Sequence, residues 1–255
     1  LTARTVASCL DSPYSIYCEK FVDKEEKDEI SEYDKLLFQK GNDHETNVVY
    51  EKYPDAVSVS FESPEIGFRS TVESMVSGDD ILHAMPMYYL PNGVYGIPDM
   101  LEKSDAAGSV FGDYHYTVTE VKVAKNIKKS HLIQGAFYNY LLGAIQGTTP
   151  DTFFIIDGNG EKNEHNYLEY EPTLMDLIGN ARDILQGEPV SPTYGSCKFP
   201  WKSYCDKKAI EANDISLVDK LGARAKSQLQ HKFKTVDDIS RAKILDLTSV
   251  DGVGK

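Results

Sequence analysis

Two acidic residues and a lysine are spaced along the middle of the chain in a way that suits binding of a metal ion. Asp99 ends the tetrapeptide Gly-Ile-Pro-Asp, and after 20 intervening residues Glu120 and Lys122 follow in the tripeptide Glu-Val-Lys. Because side chains alternate along a strand, Glu120 and Lys122 are predicted on one face. Two carboxylates that converge from adjacent strands bind a hard cation, and a lysine beside them can orient a hydroxide or a phosphate oxygen. The pattern predicts the chemistry of metal-dependent phosphodiester cleavage.

Two neighbouring strands are predicted to position these side chains. Residues 114–123 are rich in β-branched and aromatic residues, which favours a strand. Residues 85–90 and 94–101 flank Pro91-Asn92-Gly93, a sequence typical of a hairpin turn, and this hairpin would deliver Asp99. The polar stretch 102–112 is predicted to be a loop.

Hydrophobic spacing and end signals predict the other elements. Helices are expected over residues 3–20 with a break at Ser12-Pro13, and over 36–44, 63–77, 130–146 and 173–185; strands are expected over 56–61, 152–156 and 166–170. Gln134 and Tyr138 lie one turn apart and therefore share one side of the helix over 130–146. Tyr138 can be read either as a core residue with its hydroxyl at the rim or as part of a site.

Four short motifs occur along the chain in a fixed order. They are Gly41-Asn42-Asp43-His44, the Gly96 to Asp99 tetrapeptide, the Glu120 to Lys122 tripeptide, and Gln134 with Tyr138. In this order the motifs GxxH, GxPD, ExK and QxxxY resemble the RecB-like branch of the PD-(D/E)xK nuclease superfamily, over roughly residues 8–210. The resemblance extends to stand-alone and CRISPR-associated RecB-like exonucleases.

The resemblance implies an α/β fold of the restriction-endonuclease-like type, with a mixed central sheet flanked by helices and a small helical C-terminal region. It implies a metal-dependent DNA nuclease, in particular an exonuclease, acting in DNA repair, recombination or mobile-element processing. The implied ligands of Mg²⁺ or Mn²⁺ are His44, Asp99, Glu120 and the Val121 carbonyl, and the implied catalytic residues are Asp99, Glu120, Lys122, Gln134 and Tyr138. A nitrogen ligand beside carboxylates suits Mn²⁺ better than Mg²⁺. Lys122 would orient the attacking water, and Gln134 and Tyr138 would place the strand.

Charge is unevenly distributed along this acidic chain. The net charge is −13, but residues 196–255 carry +4 and residues 1–195 carry −17. No acidic residue occurs between Glu120 and Asp151, where Lys125, Lys128 and Lys129 cluster. These lysines are predicted to contact DNA phosphates beside the acidic site; the alternative is a solvated turn.

The C-terminal region contains two matches to the helix-hairpin-helix motif, a degenerate one at residues 217–226 and a closer one at 247–255. In this motif, backbone N–H groups of a tight glycine turn bind a DNA phosphate, which would involve Gly252 and Gly254. A plain helical turn is the alternative. The second match stops before its second helix, so this region is expected to be truncated.

The chain is expected to comprise a nuclease domain (1–190), a cysteine-containing closing segment (191–212) and the helix-hairpin-helix-like region (213–255). Related exonucleases hold an iron–sulfur cluster with four cysteines, but Ser12 and Pro200 occupy two of those places here. Cys9 and Cys18 are possible substitutes only if both ligand-bearing segments shift. We therefore expect no cluster; instead Phe199, Trp201 and Tyr204 would pack around Tyr14 and Tyr17, with the cysteines as small apolar fillers.

Composition indicates the class of protein and its compartment. With 41% hydrophobic residues and no apolar run near the ~18 residues that span a bilayer, a soluble protein without a membrane partner is expected. Four cysteines do not form a disulfide framework in a chain this long, so a reducing cytoplasm is predicted. The expected partner is DNA, single-stranded or at duplex ends, together with further domains of the same chain or a repair complex. The rival hypotheses are a catalytically silent DNA-binding scaffold and an RNA-directed nuclease.

Overall fold

The computed structural model describes residues 1–219, 221 and 223–253. Residues 1–10 with 31–182 form one compact unit, and residues 11–30 with 183–255 form a second. Residues 11–30 are therefore grouped with the C-terminal region. Within the described ranges, no helix is long and apolar enough to cross a membrane.

Ten α-helices and seven strands are found in the part of the chain that the structure describes. The helices are α1 (Ala3–Asp11), α2 (Pro13–Phe21), α3 (Glu32–Lys52), α4 (Pro64–Ser77), α5 (Lys129–Gln146), α6 (Glu171–Gln186), α7 (Lys202–Glu211), α8 (Ala223–Gln230), α9 (Val236–Arg241) and α10 (Ile244–Thr248). The strands are β1 (Ile81–His83), β2 (Met87–Tyr89), β3 (Val94–Gly96), β4 (Met100–Ser104), β5 (His115–Val121), β6 (Thr152–Ile156) and β7 (Lys162–Asn166).

A mixed five-stranded sheet with the order β1-β4-β5-β6-β7 is the centre of the first unit. Only β5 and β6 are parallel; the other neighbours pair antiparallel. β2 and β3 form a separate hairpin whose turn ends at Gly93, with φ +57°. The predicted mixed sheet with flanking helices and a helical C-terminal region is thus confirmed at the level of fold class.

Helix α5 connects the two parallel strands and packs on one face of the sheet. Its buried residues Ile133, Phe137 and Leu141 share a core with Val118 of β5 and Ile155 of β6. Gly135 permits this close approach, because a Cβ there would lie 2.5 Å from the Phe153 ring. Glu120 lies on the same face and is therefore buried beneath α5.

Helix α3 covers one end of the opposite face. Val48 is buried there against Met100, Val121 and Ile156, with Tyr53 at the edge of this cluster. Ser31 starts the helix with a reciprocal capping box that involves Asp34.

Three of the predicted elements are wrong in detail. Residues 56–61 do not form a strand, because after one bridge between Val57 and Leu82 the chain turns so that the Phe61 ring packs on Gly67 of α4. The strand predicted over 94–101 is interrupted at residues 97–99, so β3 and β4 belong to different sheets. The loop predicted from residue 102 begins later, since β4 continues to Ser104.

The return strand after β6 is also misplaced in the prediction, which put it at residues 166–170. The Asp157 carboxylate accepts the N–H groups of Asn159 and Glu161 at 2.8 and 3.1 Å, which closes the turn early. Pairing with β6 therefore starts at Lys162, and residues Tyr167–Glu169 form a 3₁₀ turn instead.

An aromatic and cysteine cluster forms the core of the second unit. Trp201 is buried with Tyr14 and Cys18, Tyr204 packs beside them, and the indole N–H donates to Glu19 Oε2 at 2.8 Å. This confirms the predicted packing of Trp201 and Tyr204 near Tyr14. A second small core joins Ile215, Leu229 and Phe233 among the C-terminal helices; its outer residues are Leu221, Ile239, Ala242, Leu247, Val250 and Val253.

The interpretation of Cys197 and Cys205 as apolar fillers is wrong, because a disulfide joins them. The Trp201 N–H bonds to the Lys198 carbonyl at 3.0 Å, and the Cys205 N–H bonds to the Trp201 carbonyl at 3.0 Å. This turn and the first turn of α7 bring the two Cα atoms to 6.2 Å. Cys18 and Cys9 are free, and the Cys9 thiol contacts the Leu177 carbonyl in the first unit.

Reducing the Cys197–Cys205 disulfide should lower the free energy of unfolding of the second unit by about 2–3 kcal/mol, because the bond closes a short loop in the unfolded chain. Denaturant unfolding with and without dithiothreitol measures the difference. A Cys9→Ser variant serves as a control that keeps the bond. Four reactive thiols in the denatured, unreduced protein would contradict this assignment; two are expected.

Candidate active site

The ends of β4 and β5 bring Asp99 and Glu120 together. Met100 pairs with Thr119, so that Asp99, directly before β4, faces Glu120 near the end of β5. Alternation places both side chains and Lys122 on the sheet face that α5 covers. The predicted convergence of Asp99, Glu120 and Lys122 is found in the structure.

The three side chains form a closed hydrogen-bonded cluster. The Asp99 N–H donates to Glu120 Oε1 at 3.1 Å, and the Val121 N–H donates to Asp99 Oδ2 at 2.6 Å. Lys122 Nζ lies 2.6 Å from Glu120 Oε2 and 3.9 Å from Asp99 Oδ2. Each strand end therefore fixes the carboxylate of the other strand through a backbone N–H group.

Burial makes this cluster electrostatically strained. The side chain of Glu120 is 3% exposed, and those of Asp99 and Lys122 are 18% exposed. Burial raises the pKa of Asp99 well above its ordinary value, the charges of Glu120 and Glu45 raise it further, and Lys122 opposes them. Burial alone would lower the pKa of Lys122, but Glu120 and Asp99 outweigh it, so the pKa rises and the ammonium stays charged.

Tyr138 of α5 lies against the glycine of the Gly-Ile-Pro-Asp sequence. A Cβ on Gly96 would lie 2.4 Å from Tyr138 Cε1, so only glycine allows the ring to occupy this place. Burial raises the pKa of Tyr138, and the charges of Glu120 and Asp99 raise it further. The phenol therefore stays protonated beside the two carboxylates and can donate a hydrogen bond.

Helix α3 adds a third carboxylate. The charge of Glu45 raises the pKa of both Asp99 and Lys122, and Glu45 Oε1 is 3.4 Å from His83 Nε2. His44 precedes it on the same helix, one turn before Val48, which packs on Met100 and Val121 beside the two acids. The helix is thus anchored next to the site through Val48, one turn after His44.

The residues suit a divalent cation in part. Asp99 and Glu120 offer hard oxygen ligands, and His44 Nε2 is buried without a hydrogen-bond partner, as the free nitrogen of a ligand would be. Among the described residues, no three His, Cys, Asp or Glu side chains are already gathered around one point. The complete ligand set with His44 and the Val121 carbonyl stays a prediction.

The other predicted site residues are spread more widely. Gln134 lies one turn before Tyr138 on α5, half-buried. Lys125, Lys128 and Lys129 are exposed between β5 and the first residue of α5, in the first unit. Gly252 belongs to the second unit, in a turn after α10 with φ +81°, and Gly254 lies outside the described residues.

Two residues of the site are missing from the sequence prediction. Glu45 directly follows His44 in the sequence, so its presence in the motif region was a usable signal. His83 had no such signal, because it lies on β1, a three-residue strand that hydrophobic alternation did not reveal.

No family model matches the chain, and no curated protein matches it.

Removing the charge of Asp99 and removing that of Lys122 should change the thermal stability in opposite directions. The pKa of Asp99 is raised in the folded state. The protonated Asp99 carboxyl therefore stabilises the fold at low pH, and this stabilisation is lost as the pH rises through the folded-state pKa. Asp99→Asn should therefore raise the melting temperature at pH 7 in the presence of EDTA, and the gain should vanish below about pH 4. Lys122→Met should instead destabilise by about 3 kcal/mol, because Glu120 stays buried without its partner.

Thermal unfolding of the three proteins between pH 3 and pH 8 makes this comparison. A lower melting temperature for Asp99→Asn than for the wild type at pH 7 would contradict the electrostatics described for Asp99.

Proposed function

We propose that the protein is a metal-dependent DNA nuclease with a restriction-endonuclease-like core. The observation that carries this proposal is the cluster of Asp99, Glu120 and Lys122 at the adjoining ends of β4 and β5. Structural ion pairs are usually exposed or consist of one acid and one base. Here two acids share one lysine inside a buried setting, and this excess of negative charge favours a divalent cation.

The arrangement of the sheet supports the fold assignment. β4 and β5 are antiparallel, β5 and β6 are parallel, and α5 connects the parallel pair across the face that carries the acids. The motifs that resemble RecB-like nucleases are distributed over α3, the β3–β4 junction, β5 and α5. All of them lie in the first unit; Asp99, Glu120 and Lys122 lie together at the ends of β4 and β5, and Tyr138 packs on Gly96.

Asp99 and Glu120 would hold Mg²⁺ or Mn²⁺, with His44 and the Val121 carbonyl as the further ligands. A bound ion of this kind polarises the phosphate and lowers the pKa of a water molecule, which supplies the nucleophile. Lys122, charged and one residue beyond Val121, orients the water and stabilises charge on the phosphate. The protonated Tyr138 hydroxyl donates to the strand, and Gln134 helps to place it.

DNA is the proposed substrate, and exposed lysines support this choice. Lys125, Lys128 and Lys129 follow β5 directly after the site, in a stretch without acidic residues. An acidic protein repels DNA over most of its surface, so binding has to concentrate where local charge is positive. An exonuclease acting on single strands or duplex ends, in repair, recombination or mobile-element processing, is the proposed mode. The proposed place of action stays the cytoplasm, although the Cys197–Cys205 disulfide is of a kind that oxidising compartments favour.

Cleavage of nucleic acid in the presence of Mn²⁺ or Mg²⁺ tests the proposal. The wild type should degrade linear DNA and leave closed circular plasmid and RNA intact. Asp99→Asn and Glu120→Gln should remove nearly all activity, and Lys122→Ala should lower the rate by a factor on the order of 10² or more, because each removes a group that acts on the reacting phosphate.

Glu164→Gln provides a matched control, because Glu164 is an exposed acid on β7 outside the site. Tight DNA binding by the wild type without any cleavage would favour the silent scaffold. Cleavage of RNA alone would favour the RNA-directed nuclease. Cleavage that survives Asp99→Asn and Glu120→Gln would show that this cluster is not the active site.

A further inference from the structure

The end of β1 forms a corner against Asp99. His83 pairs with Met100, the first residue of β4, and the next N–H group, that of Ala84, donates to the Asp99 carbonyl at 2.9 Å. This corner therefore fixes the backbone of Asp99 from the side opposite to Glu120.

Ala84 adopts a backbone conformation that alanine rarely takes. Its φ is +50°, in the left-handed region, where a residue other than glycine is strained by about 1 kcal/mol or more. Such strain persists only where surrounding contacts determine the geometry, and it concentrates at functional sites. At this position, the strained turn lets β1 pair with β4 through His83 while the following N–H still reaches Asp99.

The His83 side chain extends from this corner towards α3. Its Nε2 lies 3.4 Å from Glu45 Oε1, and the two side chains are 25% and 33% exposed. With the proton on Nε2, the imidazole donates to this carboxylate. The pair links β1 to α3 beside Met100, which pairs with His83, packs against Val48 of α3 and directly follows Asp99.

We propose that His83 is a positioning residue that holds the Glu45 carboxylate on the side of the site where β1 meets Asp99, and thereby sets the affinity of the site for a divalent cation. This inference rests on the proposed function, because it takes the cluster to be a metal site. Glu45 is a long side chain that reaches solvent, so without a partner its carboxylate would spend much of its time turned outwards. Only two carboxylates, instead of three, would then face the single lysine of the cluster.

Mn²⁺ binding to the chain of residues 1–255, measured by calorimetry and electron paramagnetic resonance, tests the role of His83. His83→Ala should weaken Mn²⁺ binding by about 10- to 100-fold, the usual effect of removing a residue that orients a metal site. His83→Gln should recover most of the affinity, because the amide keeps an N–H donor near the position of Nε2.

A double-mutant cycle separates action through Glu45 from a direct effect. If His83 works by holding Glu45, the variant with both His83→Ala and Glu45→Ala should bind Mn²⁺ as weakly as Glu45→Ala alone. Additive losses would overturn the proposal. His165→Ala is the matched control, since His165 is a half-buried histidine on β7 with no partner on Nε2. This variant should bind Mn²⁺ with the affinity of the wild type.

Kinetics distinguish positioning from a merely structural role. In His83→Ala, the Mn²⁺ concentration for half-maximal cleavage should rise, whereas kcat at saturating Mn²⁺ should stay near that of the wild type. A fall in kcat without a change in Mn²⁺ dependence would overturn the proposal.

The outcomes separate this inference from the proposed function. If the wild type cleaves DNA but His83→Ala binds Mn²⁺ as tightly as the wild type, only the role of His83 is overturned. If the double-mutant cycle shows coupling between His83 and Glu45 in Mn²⁺ binding but no nucleic acid is cleaved, the proposed nuclease function is overturned and the role of His83 is kept. A wild type that binds no Mn²⁺ would overturn both.

Discussion

Burial of the Glu120 carboxylate is the interaction on which the arrangement of the site depends. Glu120 is only 2% exposed on a central strand, and a charge in that setting is stable only when it is paired and hydrogen-bonded. Lys122 supplies the opposite charge and the Asp99 N–H group supplies the hydrogen bond. The hydrogen bond from Asp99 depends on the register of β4 against β5, because a shift by one residue would move Glu120 to the opposite face relative to β4. The pairing of these strands and the geometry of the acids are therefore one constraint.

The same constraint gives the site its chemistry. Asp99 and Glu120 are held through backbone N–H groups, so their positions do not depend on flexible side-chain contacts. Lys122, in contrast, reaches the acids along a flexible side chain, so in the proposed reaction its ammonium would turn from the carboxylates to pair with a phosphate. Tyr138 lies within reach of these groups only because Gly96 has no side chain. In that tetrapeptide, the glycine thus makes room for the Tyr138 ring and the aspartate supplies the charge.

The sequence was most informative where local signals are strong. Helices with clear caps, such as α4 between Ser63 and Gly78, were predicted closely, and the convergence of Asp99, Glu120 and Lys122 followed from alternation and motif order. The prediction of a strand at 56–61 was wrong because the apolar Phe61 packs on Gly67 of α4, a contact that the local pattern does not encode. His83 and the Cys197–Cys205 bond were missed for a related reason. Each depends on a turn that brings chain segments together, and spacing alone carries no information about such turns.

The location of a bound cation tests the central claim most directly. Crystals of the full-length protein soaked in Mn²⁺ would reveal the ion by its anomalous scattering. We expect one strong peak between the carboxylates of Asp99 and Glu120, with Lys122 Nζ displaced from its place 2.6 Å from Glu120 Oε2. An unchanged Lys122–Glu120 pair without a peak at saturating Mn²⁺ would contradict the claim, and the cluster would then be a buried ion pair that only stabilises the sheet.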